Sequence, residues 1–438
     1  MNKVQSESEE EGDSPIFAET KIGTVPPQPL SPHPFSLIYA DNNATTRVAP
    51  EVCAAMGPFF SDEYFNPSSM YEPARRTAAA LAAARSSIAR HLGADPKEIL
   101  FTGCATESNN TAIMGVAKAN PGRRHVITTA VEHPAVLEVC KDLARNGYRV
   151  TFLGVDGAGN LDVRDLVRAL DADTLLVSIM HANNETGVVF PVEQLARLVK
   201  ETDPAIVFHT DATQSVGKLP IALGQEFRHV DLLSFSGHKL HAPKGVGVLF
   251  ARRAAPWRPL LIGGHQEDGR RAGTENVAFI VGVAKALELS AENHAADDAR
   301  IGRLRDRLER ALCARIPCVQ VNGRGAPRLA NTLNVSFHFV EGEGMLYQLS
   351  DLGICASSGS ACTSGSLEPS HVLRAMHVPL TAAHGSIRFS FSRYNTEAEI
   401  ERIIEVFPAV VSNLRRMSPY WDNAQNAPRP EAMEMLRP

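Results

Sequence analysis

The stretch Leu232-Leu233-Ser234-Phe235-Ser236-Gly237-His238-Lys239 is the most informative about the architecture. Its first residues make the short, largely apolar run of a buried strand, and a lysine follows directly across a small-residue turn. On either side of it, similar runs recur at 99–102, 125–129, 175–180, 206–209 and 246–250. Stretches of helical composition fall between several of them, at 74–91, 106–118, 134–146 and 191–201. The first of these is rich in Ala and Arg with few breakers, a good helix by propensity. Alternation of this kind predicts an α/β fold with a largely parallel sheet covered by helices. A long helical region over 276–315, strands at 332–339 and 387–391, and a helix at 397–416 predict a smaller α+β domain. The expected division is a large domain over 52–295, a small domain from 37–51 with 296–421, and tails at 1–36 and 422–438.

Composition narrows the function. The chain of 438 residues is 44% hydrophobic, which is ample for a core and excludes a mainly disordered protein. Its formal net charge of -5 gives no electrostatic footprint for nucleic acid. No apolar run approaches the roughly 18 residues that read as a membrane span. Seven cysteines without a CxxC pair argue against a disulfide framework or a structural zinc site, and for a reducing, cytoplasmic setting. No metal ligands are expected. Residues 1–36 are acidic, then rich in proline, and are expected to be a disordered tail. They match neither a secretory signal nor a mitochondrial presequence.

In open parallel sheets ligands sit beyond the carboxyl ends of the strands, so the residues just after the strands carry the most information. Lys239 is one. A lysine there can form a Schiff base with a carbonyl, and pyridoxal phosphate (PLP) is the commonest such partner. PLP also needs an acid opposite its ring nitrogen. Asp211 follows the strand at 206–209, and Gln214 nearby could bond the ring hydroxyl. A phosphate needs a cradle of free N–H groups. Gly103-Cys104-Ala105-Thr106 joins a strand to a helix and could supply one, although the same residues would serve as an ordinary helix cap. His133 lies at another strand-to-helix junction, where a ring could stack on a cofactor or shuttle a proton. Asn183-Asn184-Glu185-Thr186-Gly187 is a further strand-end loop. In 356–366, small residues surround Cys362, which suits an accessible thiol on a mobile loop. Arg388 puts a charge in the strand pattern at 387–391, suited to gripping a substrate carboxylate.

Taken in order, these segments resemble the cysteine desulfurases, PLP enzymes of fold type I in the class-V aminotransferase group. The resemblance spans about 38–421. It rests on Asp41-Asn42-Asn43-Ala44-Thr45-Thr46, Ala105-Thr106-Glu107-Ser108, Glu132-His133, Asn183-Asn184-Glu185, Asp211-Ala212-Thr213-Gln214, Ser236-Gly237-His238-Lys239, Arg270-Arg271-Ala272-Gly273-Thr274-Glu275-Asn276 and Ser357-Ser358-Gly359-Ser360-Ala361-Cys362. Within the family the chain is most similar to the NifS type, which supplies sulfur for nitrogenase clusters. The housekeeping IscS type and selenocysteine lyases are neighbouring alternatives, and a non-catalytic assembly scaffold is the alternative from another class. The resemblance implies a seven-stranded, mostly parallel sheet and PLP on Lys239. It implies that Asp211 pairs with the ring nitrogen and Gln214 with the ring hydroxyl, while Ala105, Thr106, Ser236 and His238 hold the phosphate. Thr274 would reach the phosphate of the other subunit, making a homodimer. His133 would stack on the ring. Asn184 would touch cofactor and substrate, Arg388 and Asn43 would hold L-cysteine, and Cys362 would take the sulfur. An iron–sulfur scaffold protein would then accept it.

Overall fold

A parallel strand is buried on both faces and therefore needs a near-continuous apolar run. The runs read above become the middle of a sheet for that reason. The structure is a computed structural model that describes residues 37–292, 294–358 and 369–433. Residues 1–36 and Cys362 lie outside the described residues.

In chain order the first strands are β1 (Ile38–Tyr39), β2 (Ile99–Thr102), β3 (His125–Thr129), β4 (Arg149–Leu153) and β5 (Thr174–Ser178). Then come β6 (Val207–Asp211), β7 (Leu232–Ser236) and β8 (Gly247–Ala251). Seven of these form one sheet in the order β2-β8-β7-β6-β5-β3-β4. Pairing is parallel from β7 through β6, β5 and β3 to β4. β8 alone runs against both of its neighbours. Side chains alternate between two cores, as the period of two requires. Val177, Phe208, Leu233 and Phe235 enter the core on one face, and Leu176, Val207, Leu232 and Leu249 the core on the other.

The apolar-run reading misses β4. It is an edge strand most of whose residues are partly exposed, unlike the buried edge strand β2, so it never needed a continuous apolar run. The long helical region after 276 is two helices, Val277–Glu292 and His294–Arg315.

Further along are β9 (Val319–Asn322), β10 (Thr332–Phe337), β11 (Ile354–Cys355) and β12 (Ser386–Ser390). β12, β10 and β9 make an antiparallel sheet. Its core joins Val335, Ile387 and Phe389 to Leu304 and Leu308 of one helix and to Phe407 of the helix Glu397–Met417. That last helix starts on a capping box, with Thr396 and Glu399 each satisfying the other's backbone N–H. β1 pairs in parallel with β11, which brings the segment after Tyr39 against β12. The chain after Trp421 has more regular structure than its Pro- and Asn-rich composition suggests. Trp421–Asp422 pairs with Ala427–Pro428, and Trp421 and Ala432 are buried together. Among the described residues no helix is long and apolar enough to cross a membrane.

One close approach shapes the strand ends. A Cβ on Gly247 would lie 2.4 Å from the Cys104 carbonyl carbon and 2.5 Å from Thr102 Oγ1. β8 can therefore pass the turn between β2 and the helix Ala105–Ala119 only without a side chain. Gly247→Ala is expected to cost about 3 kcal/mol, the upper end for overpacking, because backbone atoms on the Cys104 side cannot move aside. Urea unfolding of the two proteins measures this, and an unchanged midpoint refutes the close-packing account.

Candidate active site

The carboxyl ends of β5, β6 and β7 open into a cavity of about 310 Å³. Each functional side chain arrives there for a local reason. β7 ends at Ser236, and one 3-10 turn over Gly237–Lys239 swings Lys239 into the cavity wall. Its Nζ donates to the carbonyls of Asn43 at 2.6 Å and Ala44 at 2.7 Å. Asp211 is the last residue of β6 and is buried. Both of its oxygens are held: Asn109 Nδ2 donates to Oδ2 at 2.7 Å, and the Thr213 N–H donates to Oδ1 at 2.9 Å. His133 caps the helix Pro134–Arg145, its Nδ1 accepting from the Ala135 N–H at 3.1 Å. That bond leaves the proton of the neutral ring on Nε2.

The helix Ala105–Ala119 points its N-terminus at the same cavity, and no side chain caps it. Ala105 and Thr106 form its first turn, with Ser236 and His238 also on the wall. An uncapped helix start of this kind suits an anion. The loop after β5 is an Asx turn: Asn183 Oδ1 accepts from the N–H groups of Glu185 and Thr186, both at 2.9 Å. It presents Asn184, whose carbonyl accepts from Arg388 Nη1 at 3.0 Å. Arg388 is 1% exposed, and its Nη2 pairs with Asp41 Oδ1 at 2.8 Å. Among the described residues, three buried atoms at the cavity have no partner: Asn109 Oδ1, Thr213 Oγ1 and Arg388 Nε. Orphaned polar atoms facing a cavity are what a polar ligand would satisfy.

The family question can be answered from known proteins with this geometry in view. Residues 38–403 match the aminotransferase class-V family. A cysteine desulfurase of Trichormus azollae is 55% identical over 386 residues, covering 88% of this chain and 96% of that protein. The cysteine desulfurase NifS of Azotobacter vinelandii is 53% identical over 385 residues, covering 88% and 95%. A solved NifS-like protein aligns with a TM-score of 0.81 at 39% identity, over 86% of this chain and 100% of that one. The chain belongs to the class-V aminotransferases, in their cysteine desulfurase branch.

In this cysteine desulfurase chain the cavity gathers Lys239, Asp211, Gln214, His133, Ala105, Thr106, Ser236, His238, Asn184, Asn43 and Arg388. Thr274 is not on its wall; it is exposed on the loop before the helix Val277–Glu292. Cys362 is outside the described residues. Sequence reasoning missed Asn109, which holds Asp211. Asn109 sits four residues after Ala105 on one helix face, so helical spacing could have found it. It also gave Asp41 no role, although Asp41 lies in a quoted motif and pairs with Arg388.

The site keeps its histidines neutral. Burial pushes His238 down to about 4, with the nearby Lys239 charge adding to it. Burial also lowers His133, against a smaller opposing pull from Asp211. Next to His133, Glu132 is wholly buried and is pushed up to about 8 by that burial. Its Oε1 accepts from Thr129 Oγ1 and the Met180 N–H, both at 2.9 Å, and its Oε2 has no partner. A carboxyl with a raised folded pKa stabilises the fold fully below its ordinary 4.5 and loses that contribution as pH rises through about 8. Glu132→Gln keeps the Oε1 acceptor and cannot ionise. Thermal melting of both proteins from pH 5 to 9 is expected to show wild type losing stability relative to the variant as pH rises. Parallel curves would mean that Glu132 does not titrate in this range.

Proposed function

We propose that this chain is a PLP-dependent desulfurase that moves the sulfur of L-cysteine onto Cys362 and leaves L-alanine. The observation that carries the reading is the pairing of Lys239 and Asp211 on adjacent strand ends, facing one cavity beside an uncapped helix start. The orphaned Thr213 and Asn109 oxygens fit a polar group seated in that cavity.

Lys239 is the covalent anchor of the cofactor and Asp211 the partner of its ring nitrogen. Gln214 meets the ring hydroxyl. Ala105, Thr106, Ser236 and His238 hold the phosphate, and a second copy of the chain supplies Thr274. The exposure of Thr274 and of Thr106 supports that completion by a homodimer. When bound, the cofactor supplies an electron sink for charge left on the substrate. The rest falls to this chain's own residues. Arg388 grips the substrate carboxylate with Asn184 and Asn43. His133, neutral with its proton on Nε2, holds a proton within the cavity. Lys239 moves one at its amine. The Cys362 thiolate attacks the substrate sulfur: the S–S bond forms, the Cβ–S bond breaks, and its electron pair goes to carbon, which takes a proton. Alanine leaves and Cys362 keeps a persulfide.

The name NifS on one relative supports a role in nitrogenase cluster supply, with an iron–sulfur scaffold protein taking the sulfur in the cytoplasm. The reading is tested by sulfide and alanine release from L-cysteine with a reductant, for wild type and Cys362→Ala, alongside absorption spectra. Both proteins should carry the yellow cofactor band, and Cys362→Ala should release sulfide only at background. A fully active variant would remove Cys362 from the mechanism. A wild type that takes up no PLP would end the cofactor reading.

A further inference from the structure

One partly buried cation has no part in that chemistry. Lys218 follows Gln214 by four residues in the turns after β6, and its Nζ donates to Gln214 Oε1 at 2.9 Å. The other end of the same amide, Nε2, donates to the Asn43 carbonyl at 3.1 Å. That carbonyl also accepts from Lys239 Nζ at 2.6 Å. Gln214 is 3% exposed and lines the active-site cavity. Lys218 does not line it. Lys218 lines a second cavity of about 70 Å³, and Lys239 belongs to the walls of both. The Lys218 amine is therefore one residue removed from anything bound in the active site.

A glutamine amide has an accepting end and a donating end of nearly the same shape, so its orientation needs a cause. An ammonium can only donate, which puts the amide oxygen toward Lys218. A carbonyl can only accept, which puts the amide nitrogen toward Asn43. The two constraints agree, and the amide nitrogen keeps a second N–H for the cavity.

We propose that Lys218 is a positioning residue: it holds Gln214 so that the donating end of the amide meets the cofactor's ring oxygen. This rests on the cofactor reading above. The charges facing Lys218 are Lys239 and Arg388 on the active-site side, with His241, His294, Asp297, Asp298 and Arg393 around the second cavity. Burial, then Lys239 and Arg388, bring the amine down to about 7, so nearby positive charge limits how firmly its proton is held.

A donor to the ring oxygen stabilises its anionic form. Removing that donor makes the oxygen a stronger base, so a proton shared with it is held more tightly. Lys218→Met keeps the length of the stem and removes the donor, which frees the amide oxygen to turn into the cavity. In the PLP-loaded protein, the midpoint of the visible absorption titration should rise by about one pH unit, a tenfold gain in proton affinity. Gln214→Leu should give a rise of the same size, and Lys218→Met/Gln214→Leu should add nothing further, since both act through one bond. Should Lys218→Met fail to fold, Lys218→Leu, which also lacks a donor, tests the same point, with an expected rise in the same direction. A loaded variant that melts lower but keeps the wild-type midpoint overturns the proposal, because it makes Lys218 structural only. A rise that persists in full in the Gln214→Leu background also overturns it, because the charge would then act directly. A wild type that takes up no PLP overturns both this inference and the cofactor reading, and is recognised by the missing band.

Discussion

A guanidinium sealed from water has to be met by acceptors, or its burial costs more than it returns. Arg388 is sealed in this way, and its guanidinium finds acceptors in two distant segments. Asp41 supplies a carboxylate and Asn184 a carbonyl, while the Arg388 backbone exchanges a pair of bonds with Ser357. The segment around Asp41 is fixed further by Asn43. Its side chain donates to Thr332 Oγ1 at 2.8 Å and accepts from Asn331 Nδ2 at 3.0 Å, while its carbonyl receives Lys239 and Gln214. The small sheet and the strand ends of the large sheet thus share one polar seam. Removing one member of a buried pair such as Asp41–Arg388 leaves the other charge stranded, at about 3–5 kcal/mol. The arrangement is costly to lose and hard to form in any other register.

Desolvation then sorts the charges. The same burial that makes the seam expensive keeps His133 and His238 neutral and holds Glu132 protonated at neutral pH. Glu185, also wholly buried, is pushed up to about 7, with Ser370 and Arg388 pulling against that burial. Below Asp211, His209 spans the sheet, with Nδ1 2.8 Å from Ser178 Oγ and Nε2 3.0 Å from Ser234 Oγ, and burial brings it to about 4. A neutral imidazole can accept at one nitrogen and donate at the other, so two hydroxyls satisfy it. Among the described residues Asp41 pairs with Arg388 at the cavity, while the carbonyls of Asn43 and Ala44 receive Lys239.

Much of this was legible in the sequence where one residue's surroundings were local. Central strands show as apolar runs because both faces are buried, and Arg388 shows as a charge in such a pattern because nothing else there is charged. Lys239, Asp211 and His133 are found because strand ends are predictable and ligands collect there. What stayed hidden has a common cause. Asn109 and Lys218 matter through the side chain each one touches, and no composition or period encodes that touch. β4 lies at a sheet edge with most of its residues partly exposed, so burial imposes no apolar pattern on it. Gly247 looks like any strand glycine until the Cys104 turn is placed beside it.

The cysteines make the last step. Burial pushes Cys140 up to about 12 and raises Cys318 and Cys355, so each of these thiols is disfavoured as a thiolate. The segment that carries Cys362 leaves the described structure after Ser358 and returns at Pro369. Both of its ends are fastened at the site. Ser357 pairs through its backbone with Arg388, and Ser370 donates to the carboxylate of Glu185 in the Asx-turn loop that presents Asn184. Whatever its path between them, the chain bearing Cys362 starts and ends beside the residues proposed to hold the substrate carboxylate. The polar seam at Arg388 therefore does two things at once: it joins the sheets, and it fixes one end of the segment that carries the proposed sulfur acceptor.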